Sequence, residues 1–157
     1  MITIKEGDLF NAPDGIICHQ VNCKGVMGRG VAKTFKEKYP LAFKTYTSFC
    51  NDFNSDELLG NIIIRAELDY KWTCCMFAQD DWRGQGCKTD YAAFDKCCNA
   101  LKREIKALHL GNITINMPYR IGAGLGGGNW NIIYSILKEE FKDYNVILWK
   151  LKKENNI

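Results

Sequence analysis

The residues best suited to hold a ligand lie in two glycine-rich loops, Asn22-Cys23-Lys24-Gly25-Val26-Met27-Gly28-Arg29-Gly30 and Arg120-Ile121-Gly122-Ala123-Gly124-Leu125-Gly126-Gly127-Gly128-Asn129-Trp130. Each sits between a hydrophobic, strand-like run and a helix-like run. Glycine lets backbone N–H groups turn toward a ligand with no Cβ in the way, and a following helix adds its unsatisfied first-turn donors and its positive dipole end. The chemistry this predicts is anion binding, and two such loops suit two linked phosphates held from opposite sides.

Groups able to move a proton are fewer. His19 belongs to a residue type that can protonate a leaving group or activate water near neutral pH. It also lies within the apolar run Ile16-Ile17-Cys18-His19-Gln20-Val21, nominally on the opposite face from Asn22, which favours a satisfied core histidine. Asp80 and Asp81 adjoin one another in a polar stretch and suit either proton transfer or a solvated or capping role. Asn129 can bind a ligand or N-cap the helix behind it, but it cannot remove a proton.

Gly122-Ala123-Gly124-Leu125-Gly126-Gly127 satisfies G-x-G-x-x-G, the dinucleotide fingerprint of a Rossmann domain. That fingerprint opens a βαβ unit with an acidic residue about twenty positions on, whereas here one helix and one strand remain before the chain stops. The eight cysteines, at 18, 23, 50, 74, 75, 87, 97 and 98, contain no Cys-x-x-Cys and have two histidines to help them. They read as small core residues kept reduced, not as a zinc site or a disulfide framework, so no metal and no cofactor is expected.

The elements that must position the loops follow from periodicity. Strands are predicted over Ile2 to Lys5, Ile16 to Val21, Asn112 to Met117 and Asn145 to Leu151, and a hairpin over Gly60 to Glu67 and Trp72 to Ala78. Helices are predicted from Val31 to Lys38, from Leu41 to Phe53, from a Thr89 or Asp90 cap to about Leu108, and from Trp130 to Phe141, with Asn51 to Glu57 looping out. The third of these carries Tyr91, Phe94, Cys98, Leu101, Ile105 and Leu108 as one apolar stripe. Strands alternating with helices imply a three-layer α/β domain spanning 1–157, whose ligand binds beyond the carboxyl ends of the strands, where both loops fall. The tail from Lys152 to Ile157 is expected to fray.

Composition restricts the partners. A net charge of +3 suits a small anion and falls short of the basic footprint of a nucleic-acid binder. No run of about 18 apolar residues is present to cross a membrane, and the N-terminus lacks a signal-peptide pattern, so a cytoplasmic location is expected.

Gly7-Asp8-Leu9-Phe10, then His19 to Ala32 with its loop Asn22 to Gly30, then Met117-Pro118-Tyr119-Arg120 running into Gly122 to Trp130, resemble in type and order a macrodomain over the full chain. The resemblance runs toward phage and bacterial stand-alone macrodomains and yeast-type ADP-ribose 1''-phosphate phosphatases. It implies an α/β/α sandwich on a mixed, mostly parallel sheet, a monomer, and ADP-ribose or a close derivative as the ligand.

By that likeness Asp8, beside Leu9, takes the adenine amino group and Asn22 the distal ribose. Gly25, Val26, Met27, Gly28, Gly30 and Val31 then surround the distal ribose and one phosphate. Ile121, Gly122, Ala123, Gly124, Leu125, Gly126 and Gly127 hold the diphosphate, and Asn129 closes the loop. The likeness also marks departures. Glycohydrolase-type relatives carry a lysine where this chain has Gln79 and an aspartate where it has Gly126, so a covalent-lysine route lacks both parts. His19 matches the histidine proposed for catalysis in the yeast-type phosphatases, with Asp80 and Asp81 as nearby carboxylates. The expectations are therefore hydrolysis of ADP-ribose 1''-phosphate, or a reader that binds without turnover, or removal of ADP-ribose from protein or nucleic acid.

Overall fold

A computed structural model of the chain describes residues 1–152. Six strands form one sheet in the order β1-β6-β5-β2-β4-β3: β1 (Ile2–Glu6), β2 (Ile16–Val21), β3 (Ile62–Ala66), β4 (Trp72–Phe77), β5 (Thr114–Pro118) and β6 (Asn145–Lys150). All neighbours run parallel except β3, which returns antiparallel to β4 with Ile64 opposite Cys74. The sheet is thus mixed and mostly parallel, as the sequence predicts.

Strand alternation divides the core in two. Ile16, Cys18, Cys74, Met76, Ile115, Met117, Val146 and Leu148 face one layer of helices, α4 (Tyr91–Ala107) and α5 (Trp130–Glu140). Ile17, Val21, Ile63, Cys75 and Phe77 face the other, α1 (Gly30–Lys38), α2 (Pro40–Asp52) and the short α3 (Ser55–Leu58). Central strands buried on both faces read as continuous apolar runs, which is the pattern of β2 and β4.

The helix boundaries have local causes. Pro40 opens α2, where its missing N–H costs nothing, and Asp90 accepts from the Ala93 N–H to cap α4. The α4 stripe packs through Phe94, Cys98, Leu101 and Ile105, while Leu108 falls outside the helix and is 38% exposed. The segment expected to loop out at 51–57 instead turns into α3. Asn54 accepts from the Glu57 N–H and the Glu57 carboxylate takes the Asn54 N–H, a capping box that outweighs the polar composition of the stretch. Asp8 likewise caps a single 3-10 turn, Leu9–Asn11, where a plain loop is predicted. Among the described residues, no helix is long and apolar enough to cross a membrane. The residues after Lys152, expected to fray, lie outside the described part of the chain.

Candidate functional site

The three adjacent parallel strands β5, β2 and β4 end on the same side of the sheet, and the segment leaving each becomes a wall of one cleft. β2 runs into the first glycine loop, β4 into the segment 79–89, and β5 into the second glycine loop. The cleft has a volume of about 730 Å3. Its lining includes Asn22, Val26, Met27, Gly28, Gly30 and Val31 from the first wall, Gln79 from the second, and Ile121, Gly122, Gly124, Leu125 and Gly126 from the third. Another concavity, of about 460 Å3, lies toward the C-terminal ends of α4 and α5, away from the carboxyl ends of the strands and from both loops.

The first loop is held from within. Asn22 is buried; its Oδ1 accepts from the Tyr46 hydroxyl at 2.7 Å and the Lys24 N–H at 2.9 Å, and its Nδ2 donates to the Val26 carbonyl at 2.8 Å. Gly25 packs beside Cys50, and the Cys23 N–H donates to the Asp80 carbonyl, which ties the loop to the exit of β4. Burial, with the Asp80 carboxylate as a smaller contributor, pushes the Cys23 thiol up to about 12, so it is protonated at neutral pH. At the start of α1 no side chain caps the helix. Arg29 stands at the N-cap position, and the first backbone bond back to it comes from Lys33. The donors of Gly30, Val31 and Ala32 therefore have no acceptor within the helix.

The second loop is pinned from the outside. The Lys88 and Thr89 N–H groups donate to the Gly126 carbonyl at 2.7 and 3.2 Å, and the Thr89 hydroxyl donates to the Gly122 carbonyl at 2.7 Å. Gly122 has φ +75°, and a Cβ there would lie 2.9 Å from Gln20 Oε1, so the turn requires glycine. Among the described residues, the N–H groups of Gly122, Gly124, Leu125 and Gly126 donate to no protein acceptor. Two sets of unpartnered donors thus border one cavity. Arg29, Arg83, Lys88 and Arg120 add four cations to its lining, and among the described residues no carboxylate joins them.

Of the remaining predicted residues, His19 is among those lining this cavity, whereas Asp8, Leu9, Asp80, Asp81 and Asn129 stand outside the lining. The His19 ring lies in the core, 1% exposed, 4.0 Å from the Phe35 ring centroid and with Nε2 3.6 Å from Cys75 Sγ. Desolvation drops its pKa from 6.5 to about 3, so the imidazole is neutral at physiological pH, with one ring nitrogen an N–H donor and the other an acceptor. The burial leaves His19 without the imidazolium form that would act as an acid near neutral pH. His19 and Asn22 also turn to the same helical layer, because β2 ends at Val21 and strand alternation stops there.

Asp80 pairs with Lys24 at 3.3 Å and accepts from the Ser55 hydroxyl. Asp81 is gripped by Arg83, whose guanidinium and backbone N–H both donate to it and hold its carboxyl well below the usual range. Neither aspartate lines the cleft. Asp8 Oδ1 accepts from the Phe10 N–H, Leu9 is buried, and Asn129 caps α5 by accepting from the Asn131 N–H. These three, with Gly25, Ala123 and Gly127, lie outside the lining. Gln20, Arg29, Trp82, Arg83, Lys88, Tyr119 and Arg120 lie inside it. Of these, Gln20 carried a signal in the sequence, a polar residue alternating with His19 in an apolar strand.

A family model described as Macro domain matches residues 18–137, from the middle of β2 into α5. The chain belongs to the macrodomain family. This macrodomain is 30% identical to an ADP-ribose 1''-phosphate phosphatase of Aspergillus clavatus, over 93% of each chain. A phosphatase of the same description from Neosartorya fischeri is 54% identical over a shorter segment, 34% of this macrodomain and 28% of the relative's length. Among solved structures, the macrodomain of Mycobacterium tuberculosis DarG superposes with a TM-score of 0.79 at 29% identity, covering 95% of this chain and 97% of that one. The α/β/α architecture expected from the sequence is therefore the fold of this macrodomain.

Proposed function

We propose that the cleft binds ADP-ribose or a close derivative and that the protein hydrolyses ADP-ribose 1''-phosphate to ADP-ribose and phosphate. The observation that carries this reading is the facing pair of unpartnered donor sets, the uncapped start of α1 and the Gly122 to Gly126 amides, set among four cations. A diphosphate is acceptor-only and doubly charged, so it meets both demands. The names of the relatives support the choice of nucleotide.

In the hydrolytic step water adds to phosphorus, the P–O bond to the ribose breaks, and the sugar oxygen takes a proton. In this reading the chain contributes positioning and charge: backbone amides and Arg29, Lys88 and Arg120 neutralise phosphate oxygens, and Gln79 lines the same cleft. Asp80, next in the chain to Gln79 and half-exposed in its pair with Lys24, is the carboxylate to test as a base.

A second reading, binding without turnover, is favoured by the tethering of both aspartates and the burial of His19. Calorimetric titration with ADP-ribose tests the common part, and no heat at millimolar ligand rejects it. Phosphate release from ADP-ribose 1''-phosphate then separates the two, and loss of release in Asp80→Ala identifies the base. The protein acts as a monomer on a free small molecule in this reading, without a nucleic-acid or membrane partner.

A further inference from the structure

The side chain most engaged with the second loop belongs to a residue outside it. Thr89 is 6% exposed, in the segment between β4 and α4. Its hydroxyl donates to the Gly122 carbonyl at 2.7 Å and accepts from Gln20 Nε2 at 2.9 Å, and its N–H reaches the Gly126 carbonyl at 3.2 Å. The loop closes around it tightly. A Cβ on Gly126 would lie 2.7 Å from Thr89 Oγ1, and one on Gly128 would lie 3.3 Å from Thr89 Cβ. Gln20 Nε2 also donates to Gln79 Oε1 at 3.3 Å, so Thr89 is braced by the strand that leads into the first wall, and through it by the residue that begins the second.

The peptides that carry the Gly122 and Gly126 carbonyls are held at both ends, since their N–H groups, those of Ala123 and Gly127, donate to the Arg120 and Gly124 carbonyls at 2.9 and 3.0 Å, so two rigid planes anchor the turn on either side of Gly124 and Leu125. The donors of Gly124, Leu125 and Gly126 lie on the stretch between those two anchors, and among the described residues they have no protein acceptor. Gly124, Leu125 and Gly126 border the cavity.

We propose that Thr89 is a positioning residue: its hydroxyl, braced by Gln20, holds the second glycine loop in the conformation whose amides bind the diphosphate. The inference rests on the reading that the cleft takes ADP-ribose. It differs from a packing role in what it requires, since Val has the shape of Thr without the hydroxyl, while Ser has the hydroxyl without the methyl.

The test compares Thr89→Val and Thr89→Ser in the full chain by calorimetric titration with ADP-ribose and by NMR of the Gly122, Gly124 and Gly126 amides on adding it. Thr89→Val is expected to bind about tenfold more weakly, the scale of one lost hydrogen bond that the ligand site depends on, with smaller ligand-induced shifts of those amides. Thr89→Ser is expected to bind within about threefold of the unaltered chain. Wild-type affinity in Thr89→Val, or equal loss in both variants, overturns the inference. If Thr89→Val does not fold, Gln20→Leu, which removes the brace, takes its place with at least about a threefold loss expected, and unchanged affinity there overturns the inference. Absence of binding by the unaltered chain overturns the ligand assignment and this inference with it, whereas binding by the unaltered chain and Thr89→Val alike overturns this inference alone.

Discussion

Replacing Gly124 by Val separates the grip of the second loop from its stability. A Cβ at Gly124 meets no atom of the protein within 4 Å, and its backbone is outside the left-handed region, so the fold tolerates a side chain there. Surface substitutions of that kind change stability by about 0.5 kcal/mol or less, which for a chain of this size moves the melting temperature by about 2 °C. The same residue borders the cleft beside amides without protein acceptors. Hydrogen bonds to phosphate need donor and acceptor about 2.7–3.2 Å apart, and a valine on the loop keeps an anion beyond that range. Losing one charge-assisted bond, about 1.5–3 kcal/mol, predicts roughly tenfold to a hundredfold weaker ADP-ribose binding.

Gly126→Ala is the control. There the added Cβ lies 2.7 Å from Thr89 Oγ1 and 2.8 Å from the Gly122 carbonyl oxygen, so overpacking costs about 1–3 kcal/mol and lowers the melting temperature by several degrees. Titration calorimetry and thermal melts read both quantities. Unchanged affinity in Gly124→Val, or a melting temperature that falls as far as in Gly126→Ala, refutes the reasoning.

Three further outcomes follow from the same geometry. Because burial lowers the pKa of His19 from 6.5 to about 3, the unfolded chain binds the extra proton first; the stability this neutral ring contributes is complete above pH 6.5 and declines as pH falls toward 3. Urea titrations at pH 7 and pH 5 should show the loss, and a stability independent of pH across that window refutes the buried neutral ring. Asp90→Ala removes the cap on Ala93 and should cost about 0.5–2 kcal/mol by denaturant unfolding, with Asp90→Asn recovering most of it. Asn129→Ala should cost a similar amount by removing the cap of α5 while leaving ADP-ribose affinity within about twofold, because Asn129 lies outside the cleft lining; a large affinity loss at unchanged stability would restore it to the binding site.

Much of the fold is legible from local pattern. The apolar run of β2, the hairpin of β3 and β4 and the stripe of α4 each bury what their periodicity says they must, because those signals are set by neighbours a few residues apart. The short helix α3 is the exception, with its cap written as Asn54 and Glu57 inside a stretch that composition alone assigns to a loop. In the site, the glycine loops and their order along the chain are sequence properties, as is the presence of Asn22 and Gln79 at strand exits.

What only the tertiary structure decided is which groups remain free to act. His19 has the chemistry of a catalyst, but the Phe35 ring beside it and the core around it keep its imidazole neutral and almost wholly out of solvent. Asp80 and Asp81 are carboxylates by sequence and ion-pair partners by position, since Lys24 comes from another strand exit and Arg83 folds back across a two-residue turn. Thr89 lies 33 residues from Gly122 in the chain and becomes its hydrogen-bond partner only when β5, β2 and β4 stand side by side. The sequence determined that backbone donors would be exposed in two loops. Long-range packing determined how the second loop is anchored, because the partners of its Gly122 and Gly126 carbonyls, Lys88 and Thr89, come from the exit of a different strand.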